Sequence, residues 1–294
     1  MDEQPVSSAS ICTLLLGVLL LVMISFFRKN ASQGQQAADE LRDEILFRQP
    51  ESSYLGDCPI CCLPLPIDGE TNMSQSCCSK IICYGCMYAD KLRHERENKQ
   101  AACPFCRTPV PKTQEEALKN EMKRVEKNDP IGLRMVAMKL YRKFDYDGAF
   151  KNYMKAAEQG DVDAHYNLSV MFYEGHGVEK DKKKELHHLE EAAIGGHPWA
   201  RYNLAHHEEL NGRYDRAVKH YIIAATLGDD SAIKSLRGCY KDKLVCKEDF
   251  AAALRAHQAA VDATKSPQRE AAANYAANYW MNEMNSLSIN ATGG

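Results

Sequence analysis

The chain has 294 residues, which at about 150 residues per domain is enough for two domains. Apolar residues make up 45% and charged residues 26%, the balance of a folded globular protein rather than of a disordered chain. The formal net charge is −3, so the chain lacks the overall basic field that nucleic-acid binding uses. Mean hydropathy is −0.46, which excludes a membrane protein with many spans.

An uncharged, strongly apolar window covers residues 6–27, and Arg28 and Lys29 follow it directly. As a helix it would be about 33 Å long, roughly the thickness of a bilayer core. The basic residues on its C-terminal side place residues 28–294 in the cytosol under the positive-inside rule. A cleaved signal peptide is the main alternative, but it requires a basic segment before the window, where the only charged residues are Asp2 and Glu3. The sequence therefore predicts a single-pass membrane protein anchored through residues 6–27, with a polar stalk over 28–56.

Nine of the twelve cysteines lie between residues 58 and 106. Eight of these nine form four pairs along the chain: Cys58 with Cys61, Cys77 with Cys78, Cys83 with Cys86, and Cys103 with Cys106. A C-x2-C pair on a tight turn offers two thiolates to one tetrahedral zinc ion, so four pairs supply the ligands of two ions. A disulfide framework is the alternative, but it belongs to an oxidising compartment and conflicts with the predicted cytosolic topology. The sequence therefore predicts two structural Zn2+ ions without an open coordination position, which excludes hydrolysis by a metal-bound water.

The motifs Cys-Pro-Ile-Cys, Cys-Cys-x4-Cys-x2-Cys and Cys-Pro-Phe-Cys-Arg within residues 57–111 resemble a RING finger in its all-cysteine variant. The resemblance implies two interleaved sites, one from the first and third cysteine pairs and the other from the second and fourth pairs. Most RING fingers carry a histidine ligand where this chain has Lys80, so the resemblance assigns that ligand to Cys78 instead. Cys62 is an alternative to Cys61 as a ligand. His94 is a further candidate, although its charged neighbours favour a solvated position.

RING fingers recruit a ubiquitin-conjugating enzyme and hold its thioester-linked ubiquitin in a reactive pose, which is catalysis by positioning. The resemblance implies that Ile60 is the apolar contact, that Pro104 flanks it, and that Arg107 is the linchpin that hydrogen-bonds both enzyme and ubiquitin. Asp90 departs from the family, because many active RING fingers have an aromatic or aliphatic residue there. A non-catalytic zinc-binding interaction scaffold is therefore the alternative. RNA binding is disfavoured, since the module lacks a face of aromatic and basic residues.

A charged segment over residues 112–128 has a helical pattern and predicts a connector. Behind it, the pattern Ala-Ala-x2-Gly begins at Ala156 and recurs at Ala192 and Ala224. Small residues at fixed positions let two helices approach closely, and the glycine ends the second helix of each pair. The sequence therefore predicts a mostly α-helical chain in which residues 129–285 form a solenoid of about four helix pairs and a capping helix, followed by a tail over 286–294.

The unit that contains the Gly-x-Gly-Val loop at Gly175 resembles a Sel-one-like repeat, a relative of the tetratricopeptide repeat. Arrays of this kind present an extended groove to partner proteins, so the resemblance implies that a substrate or adaptor binds there. Cys239 and Cys246 are expected to be buried apolar residues. Taken together, these patterns predict a membrane-anchored, RING-type ubiquitin ligase whose repeat array binds its substrate or an adaptor.

Overall fold

The computed structural model describes residues 40–50, 53–69 and 71–277. The described residues fall into two units, with the boundary between Arg48 and Gln49. In the first unit, residues 40–46 form a short helix. All elements named below belong to the second unit.

The second unit contains two short strands followed by a series of helices. In chain order they are β1 (Asn72–Ser74), β2 (Ile81–Cys83), α1 (Tyr84–Arg96), α2 (Gln114–Glu126), α3 (Pro130–Arg142), α4 (Tyr146–Ala157), α5 (Val162–Glu174), α6 (Lys182–Ile194), α7 (Pro198–Leu210), α8 (Tyr214–Thr226), α9 (Asp230–Lys241) and α10 (Lys247–Ala263). Residues 267–277, which we call the C-terminal segment, are also helical.

The cysteine region is a small module built on one β-hairpin and one helix. Strands β1 and β2 pair antiparallel, with Met73 opposite Ile82, and α1 follows β2 directly. Its apolar core is small, because Leu65 and Ile82 are the buried aliphatic side chains that pack with the cysteines there. A module with so little apolar content needs another source of stability, and the clustered sulfur atoms lie where a metal would supply it.

Helices α3 to α10 stack as four successive pairs, and short polar caps start most of them. The carboxylates of Asp129, Asp145, Asp161, Asp181 and Asp229 each accept backbone N–H bonds at the first turn of a helix. Each helix packs against its neighbours along the chain, so the core runs through the array as a continuous series of small contacts. The predicted solenoid and the mostly helical fold are confirmed.

The repeated alanines explain how closely the helices approach. Ala156, Ala192 and Ala224 are all 0% exposed, so each lies where a larger side chain would force two helices apart. Tyr221 is buried in the core, and so is Cys239, as expected for that cysteine. The expectation for Cys246 is wrong: its thiol is exposed because it starts α10, where Sγ accepts the N–H of Asp249 at 3.3 Å.

The predicted single-pass membrane localisation is corrected by the structure. Across the described residues, no helix combines the length and the apolar content needed to cross a bilayer. The longest helix with defined bounds there, α10, has 17 residues and carries charged side chains. The window over 6–27 on which the prediction rested lies outside the described residues.

Acid is expected to weaken the array through His165 and His188, whose Nδ1 atoms lie 3.1 Å apart. Burial, together with the neighbouring imidazole, lowers the pKa of His188 from 6.5 to about 4. Between those values the unfolded chain binds more protons than the folded chain, so stability should fall as pH drops, by about 2 kcal/mol at pH 5. Thermal unfolding of the wild type and of His188→Leu at pH 7 and pH 5 measures this loss. The exposed neighbour variant His187→Leu should keep the acid sensitivity, whereas equal sensitivity in His188→Leu would contradict the assignment.

Candidate metal centre and its surroundings

The first sulfur group comes from a tight turn over residues 58–62, which we call the first knuckle, and from the start of a helix. Cys58 and Cys61 lie on a tight turn that closes when the N–H of Cys62 donates to the Cys58 carbonyl at 2.9 Å. Cys62 has a φ of 56°, the left-handed conformation that lets the chain leave the turn. Cys83 is the last residue of β2 and Cys86 lies in the first turn of α1. The Sγ atoms of Cys61 and Cys83 are 3.8 Å apart.

The second sulfur group comes from an equivalent turn over residues 103–107, which we call the second knuckle, and from the turn of the β-hairpin. The N–H of Arg107 donates to the Cys103 carbonyl at 2.9 Å, and Arg107 has a φ of 63°. Arg107 therefore has the same place in the second knuckle as Cys62 has in the first. Cys77 and Cys78 lie in the turn between β1 and β2. Cys106 Sγ is 3.3 Å from Cys77 Sγ, and Cys78 Sγ is 3.9 Å from Cys103 Sγ.

Each group has the geometry of a tetrahedral thiolate site. Within each quartet, all four sulfur atoms lie within 4.8 Å of one another: Cys58, Cys61, Cys83 and Cys86 in the first, and Cys77, Cys78, Cys103 and Cys106 in the second. A tetrahedron with metal–sulfur bonds of about 2.3 Å has sulfur atoms about 3.8 Å apart, close to the separations found here. Both quartets can therefore hold a metal ion. Cys62 belongs to neither and is exposed.

The thiols of a quartet do not ionise together without a cation. Burial raises the pKa of Cys86, and the neighbouring Cys83 raises it further. Burial opposes ionisation of Cys58 as well, but backbone N–H groups of Cys61, Cys83 and Ile60 outweigh it and lower its pKa to about 7. One thiolate thus forms readily, while its neighbours resist a second charge. A divalent metal removes that repulsion.

The three residues predicted to recruit a conjugating enzyme differ in exposure. Ile60, on the first knuckle, is 42% exposed, and the side chain of Arg107, on the second, is 64% exposed. Pro104 is buried between the ligands Cys103 and Cys106, so its role as a flanking surface residue stays a prediction that the observed burial does not favour. Beside it, Phe105 is 43% exposed with the ammonium of Lys80 5.5 Å from its ring centre.

Asp90, the residue that departs from the RING pattern, lies at the centre of a charge cluster. Its side chain is only 13% exposed, and Oδ1 lies 2.5 Å from Nη2 of Arg93 and 3.7 Å from Nη1 of Arg107. His94 Nδ1 is 2.9 Å from the backbone carbonyl oxygen of Asp90 and 3.4 Å from its Oδ2, and His94 belongs to neither sulfur quartet. Asp90 therefore hydrogen-bonds Arg93 of its own helix and lies within ion-pair distance of Arg107 on the second knuckle.

Sequence reasoning did not single out Arg269, which contacts the first knuckle from the far end of the chain. Its Nη1 donates to the carbonyl of Pro64 at 2.7 Å and to that of Thr264 at 2.7 Å. Its Nη2 donates to the carbonyl of Leu63 at 3.2 Å and lies 3.4 Å from Cys61 Sγ. Metal sites commonly use such outer hydrogen bonds to orient their ligands.

The rest of the C-terminal segment lies along α1. Gln268 Nε2 donates to the Gly85 carbonyl at 3.0 Å, and a Cβ on Gly85 would lie 2.9 Å from the Cα of Arg269. Farther along, the ring of Tyr275 is 4.8 Å from that of Tyr88, and its hydroxyl accepts a bond from Lys91 at 3.1 Å. Glycine at position 85 is thus required for the close approach of the segment.

The segment before the first knuckle is also held by the array. The Tyr54 hydroxyl donates to Asp163 Oδ1 at 2.8 Å, and its ring stacks on His197 at 4.8 Å. Arg134 bridges Asp163 at 2.8 Å and Asp161 at 3.1 Å, so the acceptor of Tyr54 is itself fixed by an ion pair. Burial raises the pKa of Tyr54, as does the charge of Asp163. The cysteine module and the array therefore contact each other on both sides of the module.

The helix pairs match a known family. Three consecutive segments, residues 137–161, 162–197 and 200–229, match the model of the Sel1 repeat. Residues 137–229 are Sel1 repeats. The resemblance predicted at Gly175 is confirmed, and the repeats extend to units that lack the Gly-x-Gly-Val loop.

Two solved structures are each similar to about half of the chain. A Sel1 repeat protein from Oxalobacter formigenes is 28% identical, with a TM-score of 0.46, covering 53% of this chain and 67% of that one. The protective antigen c5321 of uropathogenic Escherichia coli, which displays an SLR fold, is 22% identical with a TM-score of 0.41. That match covers 55% of this chain and 36% of the antigen.

The Sel1 match begins at residue 137 and leaves the cysteine region outside it. The repeat part of the chain therefore consists of Sel1 repeats, and stacked helix pairs of this kind present an extended surface to protein partners. Its cysteine region contains two groups able to hold metal ions.

Proposed function

We propose that residues 57–111 form a RING-type module that binds two structural zinc ions and recruits a ubiquitin-conjugating enzyme. In this proposal the Sel1 repeats bind a substrate or adaptor, so that the chain acts as a ubiquitin ligase. The observation that carries the proposal is the interleaving of the two sulfur quartets, in which the first and third cysteine pairs alternate with the second and fourth. Interleaving fixes the position of one knuckle relative to the other. A conjugating enzyme that contacts both knuckles at once requires such a fixed arrangement.

The exposed residues of the two knuckles suit this role. Ile60 offers an apolar side chain on the first knuckle, and Arg107 offers a planar set of donors on the second. Neither is a metal ligand, so both can contact a partner without disturbing the metal. Closed four-thiolate sites leave the metals a structural role, and ligase activity would come from positioning the thioester. In the same proposal, residues 112–128 form a helical connector between the cysteine module and the repeats, and a capping helix follows the repeats before the tail.

Thioester discharge to free lysine, measured across a panel of conjugating enzymes, tests the proposal. Ile60→Ala should weaken conjugating-enzyme binding by about 5–150-fold, the range of ~1–3 kcal/mol for an interface anchor. Arg107→Ala should lower discharge more than binding, because its donors act mainly in the reactive pose. Leu210→Ala and Arg237→Ala are matched controls, since both side chains are exposed on the array, and neither should change discharge.

The second candidate function is a non-catalytic scaffold, which the charge cluster around Asp90 favours. In that case the module holds its metals and contacts partners, but the Asp90 carboxylate keeps Arg107 from bridging enzyme and ubiquitin. A wild-type chain that stimulates no enzyme of the panel, with both metals bound and no difference from Arg107→Ala, would establish the scaffold and exclude the ligase.

A further inference from the structure

A cavity of about 660 Å³ lies between the cysteine module and the array. One wall is the segment that follows the first knuckle, Pro64–Asp68. The opposite walls come from Trp199 at the start of α7, from the turn between α8 and α9, and from the end of α10. Its volume is within the range of cavities that take up a small molecule or a large side chain.

The lining of this cavity is acidic. Asp57, Asp68, Asp229 and Asp230 contribute to it, and the lining residues include neither lysine nor arginine. Two of these carboxylates are already bound within the chain: Asp68 accepts from Thr71, and Asp230 pairs with His257 at 2.9 Å. Of the other two, Asp57 is exposed to solvent and Asp229 is buried, so Asp229 is the carboxylate for which a missing partner matters.

Asp229 is buried with one oxygen unused. The residue is 3% exposed, and its Oδ1 starts α9 by accepting the N–H of Ser231 at 2.7 Å and of Ala232 at 3.3 Å. Its Oδ2 is buried and has no hydrogen-bond partner among the described residues. A carboxylate oxygen that is removed from water without a donor is costly, and folded proteins rarely leave one in that state.

Two of the four earlier aspartate caps of the array show what such an oxygen can bind. Asp129 starts α3, and its Oδ2 pairs with the guanidinium of Arg124. Asp161 starts α5, and its Oδ2 accepts from Nε of Arg134 at 3.1 Å. In both cases one oxygen caps the helix and the other binds an arginine of the same chain. At Asp229 the second donor is missing from the described residues, and the cap lines the cavity instead.

We propose that this cavity binds a cationic side chain, arginine or lysine, of a protein partner, and that Asp229 Oδ2 is its acceptor. The cation would bind this cap as Arg124 and Arg134 bind the earlier caps of the array. Trp199, which is 39% exposed, adds an aromatic wall that favours a cation over a neutral group. The inference rests on the partner-binding half of the proposed function and names the chemistry of that partner.

The test uses the full chain and three small probes: N-acetyl-arginine methylamide, its lysine counterpart, and the uncharged isostere N-acetyl-citrulline methylamide. Saturation-transfer NMR at about 10 mM probe suits the weak affinity expected for a single side chain. At least one cation should bind, and citrulline should bind at least tenfold more weakly. The comparison of arginine with lysine shows which of the two the site prefers. Absence of binding by both cations, or equal binding of citrulline, overturns the inference.

Two variants locate the acceptor. Asp229→Asn keeps the helix cap, since asparagine caps as well as aspartate, and should weaken cation binding at least tenfold. Asp230→Asn removes the same charge one residue later from a side chain that is 79% exposed, and should have a much smaller effect. Equal losses in both variants would mean a diffuse acidic field and would overturn the role of Asp229. Because no conjugating enzyme is present, failure here is distinguishable from failure of the ligase proposal, which the discharge assay tests.

Discussion

Replacing Cys83 by serine is expected to remove one of two zinc ions and to unfold the hairpin and helix around it. Cys83 is 1% exposed and joins the end of β2 to α1, so its sulfur supports both elements. A serine hydroxyl does not replace a thiolate as a zinc ligand, and the remaining three thiols repel one another when ionised. Structural zinc contributes on the order of 10 kcal/mol in small metal-dependent domains, far more than this small core can replace.

Metal content per chain, measured by mass spectrometry, should fall from two zinc ions in the wild type to one in Cys83→Ser. Cys62→Ser is the matched control, because Cys62 follows a ligand directly yet lies outside both quartets and is exposed. It should keep both ions. A wild-type chain with one ion, or loss of metal in Cys62→Ser, would contradict the assignment of eight ligands. Chelation should abolish protection of β1, β2 and α1 against hydrogen exchange.

The second large effect is expected from Arg269→Ala, which should release the C-terminal segment from the cysteine module. The change removes the donors to the carbonyls of Pro64, Leu63 and Thr264 at once. Leaving such groups without a partner costs about 1–3 kcal/mol where they stay buried. Hydrogen exchange over residues 267–277 should rise to the level of an unprotected helix, and zinc should leave the first quartet faster when a chelator is added.

An independent variant tests the same contact from the other side. Gly85→Ala should also release the segment, because its Cβ would lie 2.9 Å from the Cα of Arg269, a backbone atom that has to move. Arg237→Ala, an exposed arginine on α9, is the control and should change neither readout. If Arg269→Ala left both hydrogen exchange and zinc release unchanged, the contact would have no role in holding the module.

The features that sequence could predict are those set by local spacing. The four cysteine pairs, three of them C-x2-C and one of adjacent residues, indicated two metal sites because each pair is a local structure, and the recurring Ala-Ala-x2-Gly indicated paired helices for the same reason. The contacts between module and array could not be predicted in this way. Arg269 looked like one residue of a capping helix, and Asp229 was not singled out, since the contacts that distinguish them involve residues far away in the sequence.

Two further differences between the sequence-based predictions and the structure also arise from packing that the motif does not specify. Asp90 was recognised as a departure from the RING pattern, but its approach to Arg107 depends on how α1 lies against the second knuckle. Pro104 was expected at the surface because of its place in the motif, yet the turn that positions Cys103 and Cys106 buries it. A motif specifies which residues are present, whereas burial depends on the elements that pack over them.

The bond between Arg269 and Cys61 also bears on how the chain reaches its folded state, since it joins residues 208 positions apart. During synthesis the knuckles leave the ribosome while most of the array is still unmade, so any metal that binds them at that stage binds without the guanidinium that later covers the first of them. The contact closes only when the last helix is complete. Loops of that length close slowly, and we expect docking of the C-terminal segment to be the final and slowest step of folding.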